Sequence, residues 1–259
     1  DDEARKALLT AFRSWADQLE AISTVLVTTP AEEVAGAVYD AVLRPDAGDD
    51  RIGQVTQLPI CPDADLEAVL VTVRQKTRNL VRKAFGQDFR LVEATDDPEA
   101  WRALESLHAE GMRAKGATPK PPTDFEAMRR CVPAAARRIW LTMDGDRPAA
   151  ALLTLHDGDT TEYLVPAVDL EYRSRQALSF VIAHAMVAAM RAGRPQWNWG
   201  GTWRSQTSLH HFKRGWGAAD ATYRYLVRTR PGAVARFRTH RAELTAMYPS
   251  FFVYPFGLL

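Results

Sequence analysis

Between residues 139 and 165 the chain is cut twice by the same kind of triplet, Asp144-Gly145-Asp146 and Asp157-Gly158-Asp159. Asp-Gly pairs between short apolar runs are strong signals for tight hairpins, because glycine takes the left-handed backbone that such turns need. The spacing predicts three antiparallel strands over 139–143, 149–155 and 161–165. A nearly all-apolar stretch at 175–191 follows, closed by Gly193 and Pro195. A helix apolar on every side cannot face water, so this one must pack hard against a sheet. Then come a strand at 197–200, a short helix at 209–216 and a strand at 221–227. Strand, strand, strand, helix, strand, helix, strand is an α/β (α+β) pattern: a mixed, mostly antiparallel sheet flanked by helices.

The rest of the chain reads as follows. A helix over 3–21 carries Leu8, Leu9, Phe12, Trp15 and Leu19 at helical spacing. A short strand fills 22–29, and Pro30 marks the start of a helix that runs to Leu43. The segment 44–50 is a polar, turn-rich loop, and 52–60 a strand. One amphipathic helix is predicted over 63–85, with Leu66, Val69, Val73, Leu80 and Ala84 as its stripe and Arg74, Arg78 and Arg82 recurring on an adjacent face. A strand at 89–94 leads to a helix at 98–114 that ends at Lys115-Gly116. After a proline-rich loop, a helix at 123–131 is capped by Thr123 or Asp124. A helix at 231–247 and an aromatic tail from Ser250 close the chain.

Composition removes several function classes. With 33 basic and 32 acidic side chains the net charge is +1, so any phosphate recognition is local rather than global. No apolar run has membrane-spanning length, and the acidic start Asp1-Asp2-Glu3 does not resemble a signal peptide, which together point to the cytoplasm. Cys61 and Cys131 give neither a disulfide framework nor metal spacing, and no His-x-x-x-His occurs. No Gly-x-Ser-x-Gly elbow, phosphate loop or dinucleotide fingerprint is present, so neither covalent catalysis nor a bound cofactor is expected. His184 reads as a core residue. His210 and His211 adjoin Lys213, while His108, His156 and His240 are scattered.

Three places could carry chemistry. Gln196-Trp197-Asn198-Trp199-Gly200-Gly201 reads as a strand ending in a double glycine, followed by Leu209-His210-His211-Phe212-Lys213-Arg214-Gly215-Trp216-Gly217. Glycine lets backbone approach a substrate closely, and a lysine held there can neutralise developing negative charge. The basic stripe Arg74, Lys76, Arg78, Arg82 and Lys83 offers guanidinium groups suited to phosphate, or is simply a solvated helix face. In the turn 171–178, Arg173 and Arg175 could meet a phosphate and Ser174 could cap the following helix. Glu162 is a possible base, with Asp169 and Glu171 as alternatives.

The phrases Arg78-Asn79-Leu80-Val81-Arg82-Lys83-Ala84 and Phe212-Lys213-Arg214-Gly215-Trp216-Gly217 resemble those of Fem-type (FemABX-like) aminoacyl-tRNA-dependent peptidyltransferases, a branch of the GNAT superfamily. The resemblance covers about 74–227, with Trp216 in place of a second Phe. It implies a reduced GNAT-like half with the basic helix (1–86), a complete catalytic half (87–230) and a C-terminal helix and tail (231–259). It implies Lys213 as the catalytic residue. Asn198, Trp199, Trp203, His211, Phe212 and Arg214 then surround the substrate, with phosphate held by Arg74, Arg78, Arg82 and Lys83 and by Arg173, Arg175 and Gln176. The glycines by which acetyl-CoA-dependent members hold pyrophosphate fall here at Gln176 and Leu178, which favours aminoacyl-tRNA as donor. The acceptor would be an amine of a small molecule or peptide, in antibiotic or cell-wall assembly. An N-acyltransferase using an acyl-CoA or carrier thioester, and a silent GNAT-like binding module, are the alternatives. No metal is implied.

Overall fold

The computed structural model describes residues 2–29, 36–248 and 253–259. In chain order the helices and strands begin α1 (Asp2–Gln18), β1 (Ser23–Val27), α2 (Gly36–Leu43), β2 (Ala47–Gln57), α3 (Leu66–Thr72), α4 (Gln75–Phe85) and β3 (Phe89–Ala94). They continue with α5 (Pro98–Arg113), α6 (Pro122–Cys131), β4 (Arg137–Asp144), β5 (Arg147–Asp157), β6 (Thr160–Val168) and α7 (Ala177–Arg191). The last are β7 (Gln196–Thr202), α8 (Thr207–Gly215), β8 (Ala219–Thr229), α9 (Ala233–Thr239) and α10 (Arg241–Met247). Two compact units result, Asp1–Gly53 with Ala221–Leu259, and Gln54–Asp220.

In the first unit the strand order is β1-β8-β2, and β1 runs antiparallel to β8. Leu9 of α1, Tyr39 and Leu43 of α2 and Leu226 of β8 form one apolar cluster there. The loop expected over 44–50 is shorter than that, because β2 already starts at Ala47. The helix expected over 231–247 is two helices, broken at His240. Pro30 and Ser250 lie outside the described residues.

In the second unit the order is β2-β7-β6-β5-β4-β3. The pairs β3–β4, β4–β5 and β5–β6 are antiparallel and β6–β7 is parallel, a mostly antiparallel mixed sheet. Both Asp-Gly-Asp triplets form the hairpin turns they predict, with Gly145 at φ 59° and Gly158 at φ 53°. Strand alternation divides the sheet into two apolar faces. Trp140, Ala150 and Leu152 meet Val181, Ile182 and Met186 of α7 on one. Ile139, Leu141, Ala151 and Leu153 meet Trp101, Leu104 and Leu107 of α5 on the other. Each large apolar side chain so buried contributes about 1.5–3 kcal/mol. That explains why α7 carries no polar stripe. His184 sits half-buried on it, its ring 4.9 Å from Phe85 and 4.6 Å from Phe180.

The single helix expected over 63–85 is two, α3 and α4. Val73 and Arg74 are extended between them, with ψ of 153° and 155°. The Arg74 amide donates to Gly215 O at 2.9 Å instead of to a helical carbonyl, and Arg78 Nη2 reaches back to Val73 O at 3.2 Å. The break is set by a segment about 140 residues away, which no local pattern encodes. Helix α6 has Pro121 at its cap without a side-chain bond, not Thr123 or Asp124, and starts on Pro122, whose fixed φ suits the first helical position and whose missing N–H would have had no helical partner there.

Candidate active site

Strands β6 and β7 pair only over Thr160–Glu162 and Gln196–Asn198. Beyond that they diverge, and a cleft of about 750 Å³ opens beside β6. Tyr163, Pro166 and Val168 of β6 line it, facing Ser205, Gln206, Ser208 and Phe212 from the loop after β7 and from α8. His108, Met112 and Lys115 at the end of α5 and Arg173, Gln176 and Ser179 at the start of α7 complete it. A bulge in β6 shapes the wall: Leu153 faces Val165 and Thr154 faces Tyr163, leaving Leu164 without a counterpart. No aspartate or glutamate lines the cleft among the described residues.

Lys213 does not point into this cleft. It is 3% exposed, and its ammonium donates to Thr202 Oγ1 (2.8 Å), Gly200 O (3.2 Å) and Gly201 O (3.2 Å). An ammonium has three donors, and all are taken. Burial lowers its pKa to about 8, and the acceptors around it are neutral oxygens. From Thr202 the bonds continue to Gln54 Oε1 (3.0 Å), from Gln54 Nε2 to Asp220 Oδ1 (3.3 Å), and from Asp220 to His210 Nε2 (2.8 Å). His210 is thus tied to Asp220, while His211 is exposed.

The glycines after Lys213 serve packing rather than substrate approach. A Cβ on Gly217, which has φ +83°, would stand 2.4 Å from Thr72 O, and one on Gly215 would stand 2.6 Å from Thr77 Oγ1. The corner between α3 and α4, just ahead of the basic phrase at 78–84, therefore rests on the end of α8.

The remaining expected residues divide between the cleft, the surface and the framework. Phe212, Arg173 and Gln176 line the cleft. Arg175 does not reach it, because its guanidinium bonds Asp144 (2.6 Å) and Gln87 (3.0 Å) and stacks on Phe89 and Tyr172. Gln176 keeps the left-handed conformation of a glycine position, with φ 66°, and its side chain bonds Arg173 O and Ser179 Oγ. Asn198 is a framework residue: Nδ2 donates to Glu162 Oε1 (2.6 Å) and Oδ1 accepts the Gly200 amide (2.9 Å). Burial raises the Glu162 pKa, partly countered by that bond, but Glu162 is not a lining residue of the cleft. Trp199 is buried with its indole N–H on Thr56, whereas Trp203 is exposed and Arg214 lies at the surface. Arg74, Arg82 and Lys83 are exposed, with no side-chain partner among the described residues; Arg78 is half-buried and folded back on its own helix.

Sequence reasoning missed His108, Lys115, Tyr163 and Ser179. His108 looked isolated because α5 reaches the cleft only through the fold. Tyr163 had a signal: a proline three residues on, within a strand, marks an edge with nothing paired to it. His108 Nε2 accepts the Lys120 amide at 3.2 Å, and burial, then Lys120 and Lys115, depress its pKa. Tyr163 is 8% exposed, with its phenol pKa raised by burial.

Among the described residues no helix is long and apolar enough to cross a membrane, and no group of three or more His, Cys, Asp or Glu could hold a metal. The curated proteins searched hold no match. Among solved structures, FemX is similar with a TM-score of 0.73 at 13% identity, over 92% of this chain and 79% of that one. A domain assigned as the C-terminal part of a lysylphosphatidylglycerol synthetase from Agrobacterium fabrum has a TM-score of 0.59 at 14% identity, over 95% of this chain and 78% of that one. L-PGS from Bacillus licheniformis has 0.54 at 10%, over 81% and 69%. At such identities the likeness is one of fold. The acetyltransferase (GNAT) domain family matches residues 72–225, more than half of the sequence. With the splayed β6 and β7, the helix α7 beneath them and this match, the chain belongs to the GNAT acetyltransferase domain family and has the fold of an acyltransferase.

Proposed function

We propose that the protein forms an amide bond by moving an aminoacyl group from aminoacyl-tRNA to the amine of a small molecule or peptide. The observation that carries this reading is the unpaired cationic face of α4 and its attachment to α8. Arg74, Arg82 and Lys83 have no side-chain partner among the described residues, and the Arg74 amide bonds Gly215 at the end of a nine-residue helix whose Phe212 lines the cleft. Phosphates gripped outside would be linked by one rigid element to chemistry inside. The neutral amine attacks the ester carbonyl, the new C–N bond forms, and the C–O bond to the ribose breaks. The amine proton leaves with the ribose oxygen. Lys213, its donors spent, acts as a positioning residue that fixes the Gly200 and Gly201 carbonyls where β7 turns away. Positioning of this kind supplies much of the acceleration in acyl transfer.

The test is incubation with a mixed pool of charged tRNAs and amines, with RNase-treated and acyl-CoA controls, read by mass spectrometry. Amide product that vanishes on RNase treatment is expected; product formed only with acyl-CoA sinks the reading. A thioester donor is the second reading, and one observation favours it: Gln176 keeps the backbone of a glycine loop at the cleft rim. Against it stand the Gln176 and Leu178 side chains on that rim. Acetyl-CoA should therefore bind weakly or not at all by calorimetry, and tight binding would move the assignment to the thioester.

A further inference from the structure

We infer that the cleft takes an amine whose far end is an acid, carboxylate or phosphate, recognised by Arg173 and Lys115, with the Tyr163 hydroxyl bonding the polar middle of the same molecule. The inference rests on the cleft being the acceptor's place in the transfer proposed above.

The cleft is rich in donors and poor in acceptors. Arg173 and Lys115 line it, and neither side chain has a partner among the described residues. Tyr163 is more than nine-tenths buried and lines it too, yet its hydroxyl has no bonding partner among the described residues. The hydroxyl is not one of the fully buried unpartnered atoms, so water reaches it from the cleft and a ligand oxygen can take that water's place. His108 adds another donor: with Nε2 accepting the Lys120 amide, its hydrogen sits on Nδ1. The field is positive enough that Lys120 and Lys115 add to burial in depressing the His108 pKa.

Two cations without a counter-ion attract an anion and repel a second ammonium. They also favour the neutral form of a bound amine, which is the form that attacks. The volume of about 750 Å³ is that of an ordinary small-molecule site. Tyr163 and Phe212, both lining the cleft, add an aromatic surface for an apolar side group.

Calorimetry on the full chain, without any donor, tests this with three probes. They are the tripeptide Gly-Phe-Gly, its C-terminal amide, and the analogue in which the last glycine is aminomethylphosphonate. Both acids should bind about tenfold tighter than the amide, the gain of one charge-assisted contact. The tighter of the two acids tells which anion the site was shaped for. Arg173→Gln and Lys115→Gln, both surface changes, should each remove most of that preference and leave amide binding unchanged. Tyr163→Phe should weaken all three probes several-fold at unchanged melting temperature. Equal binding of acid and amide overturns the inference, as does no binding at all, or an Arg173→Gln variant that loses acid and amide alike. Because no donor is present, such a failure leaves the tRNA reading standing, and a failure of tRNA transfer with the acid preference intact leaves anion recognition by the cleft standing without its place in that transfer.

Discussion

A lysine that is 3% exposed, bonded only to neutral oxygens, keeps its proton less firmly than a free one. Burial brings Lys213 from the ordinary 10.5 to about 8. When folded it releases its proton first, so between about pH 8 and 10.5 the unfolded chain binds more protons and stability rises with pH. The gain is on the order of 1–3 kcal/mol across that window. Denaturant titrations of wild type and Lys213→Met at pH 7.5 and 10 should show the gain in wild type alone, and parallel curves would mean that Lys213 is not buried in its charged form. At turnover, Lys213→Met should lower kcat more than it raises KM, because the clamp on Gly200 and Gly201 is lost while donor contacts remain. The sequence marked Lys213 as functional through its aromatic and glycine frame. It could not show that the ammonium's donors were already spent, because Gly200, Gly201 and Thr202 become acceptors only once β7 ends beside α8.

The same limit acts between elements. Hairpins read well from Asp-Gly because the turn residue and its consequence are adjacent in the chain. The α3–α4 corner was invisible because its cause is Gly215 and Gly217, far along the sequence. Gly217→Ala should cost about 3 kcal/mol or more, since a Cβ there meets backbone at a positive φ. Gly215→Ala meets only a threonine side chain and should cost about 1–2 kcal/mol, partly restored by Thr77→Ala in a double-mutant cycle. Equal costs at the two positions would contradict this docking. On α4 the arginines separate by environment. Reversing Arg74 and Arg82 to Glu should weaken charged-tRNA binding and flatten its salt slope by about two, with the melting temperature nearly unchanged. Arg78→Glu should instead lower stability, since it strips the bond to Val73 O. Unaltered tRNA affinity in the double variant would leave the stripe a solvated face.

For the molecule as a whole, a net charge of +1 hides a local division of labour. Among the described residues one helix face is cationic and unpaired, and the cleft beside β6 carries arginine and lysine with no carboxylate lining it. Composition shows neither, since paired and unpaired charges count alike. The divergence of β6 from β7 has a further cost. From Tyr163 to Val168 one side of β6 has no neighbouring strand, and a bare strand edge is a template on which other chains can stack into aggregates. Pro166 sits in the middle of that edge and has no N–H to offer. A residue that lines the cleft thereby discourages other strands from adding there. Pro166→Val should melt within a few degrees of wild type yet lose monomer steadily by light scattering during storage at high concentration, and the loss should slow when the cleft is filled.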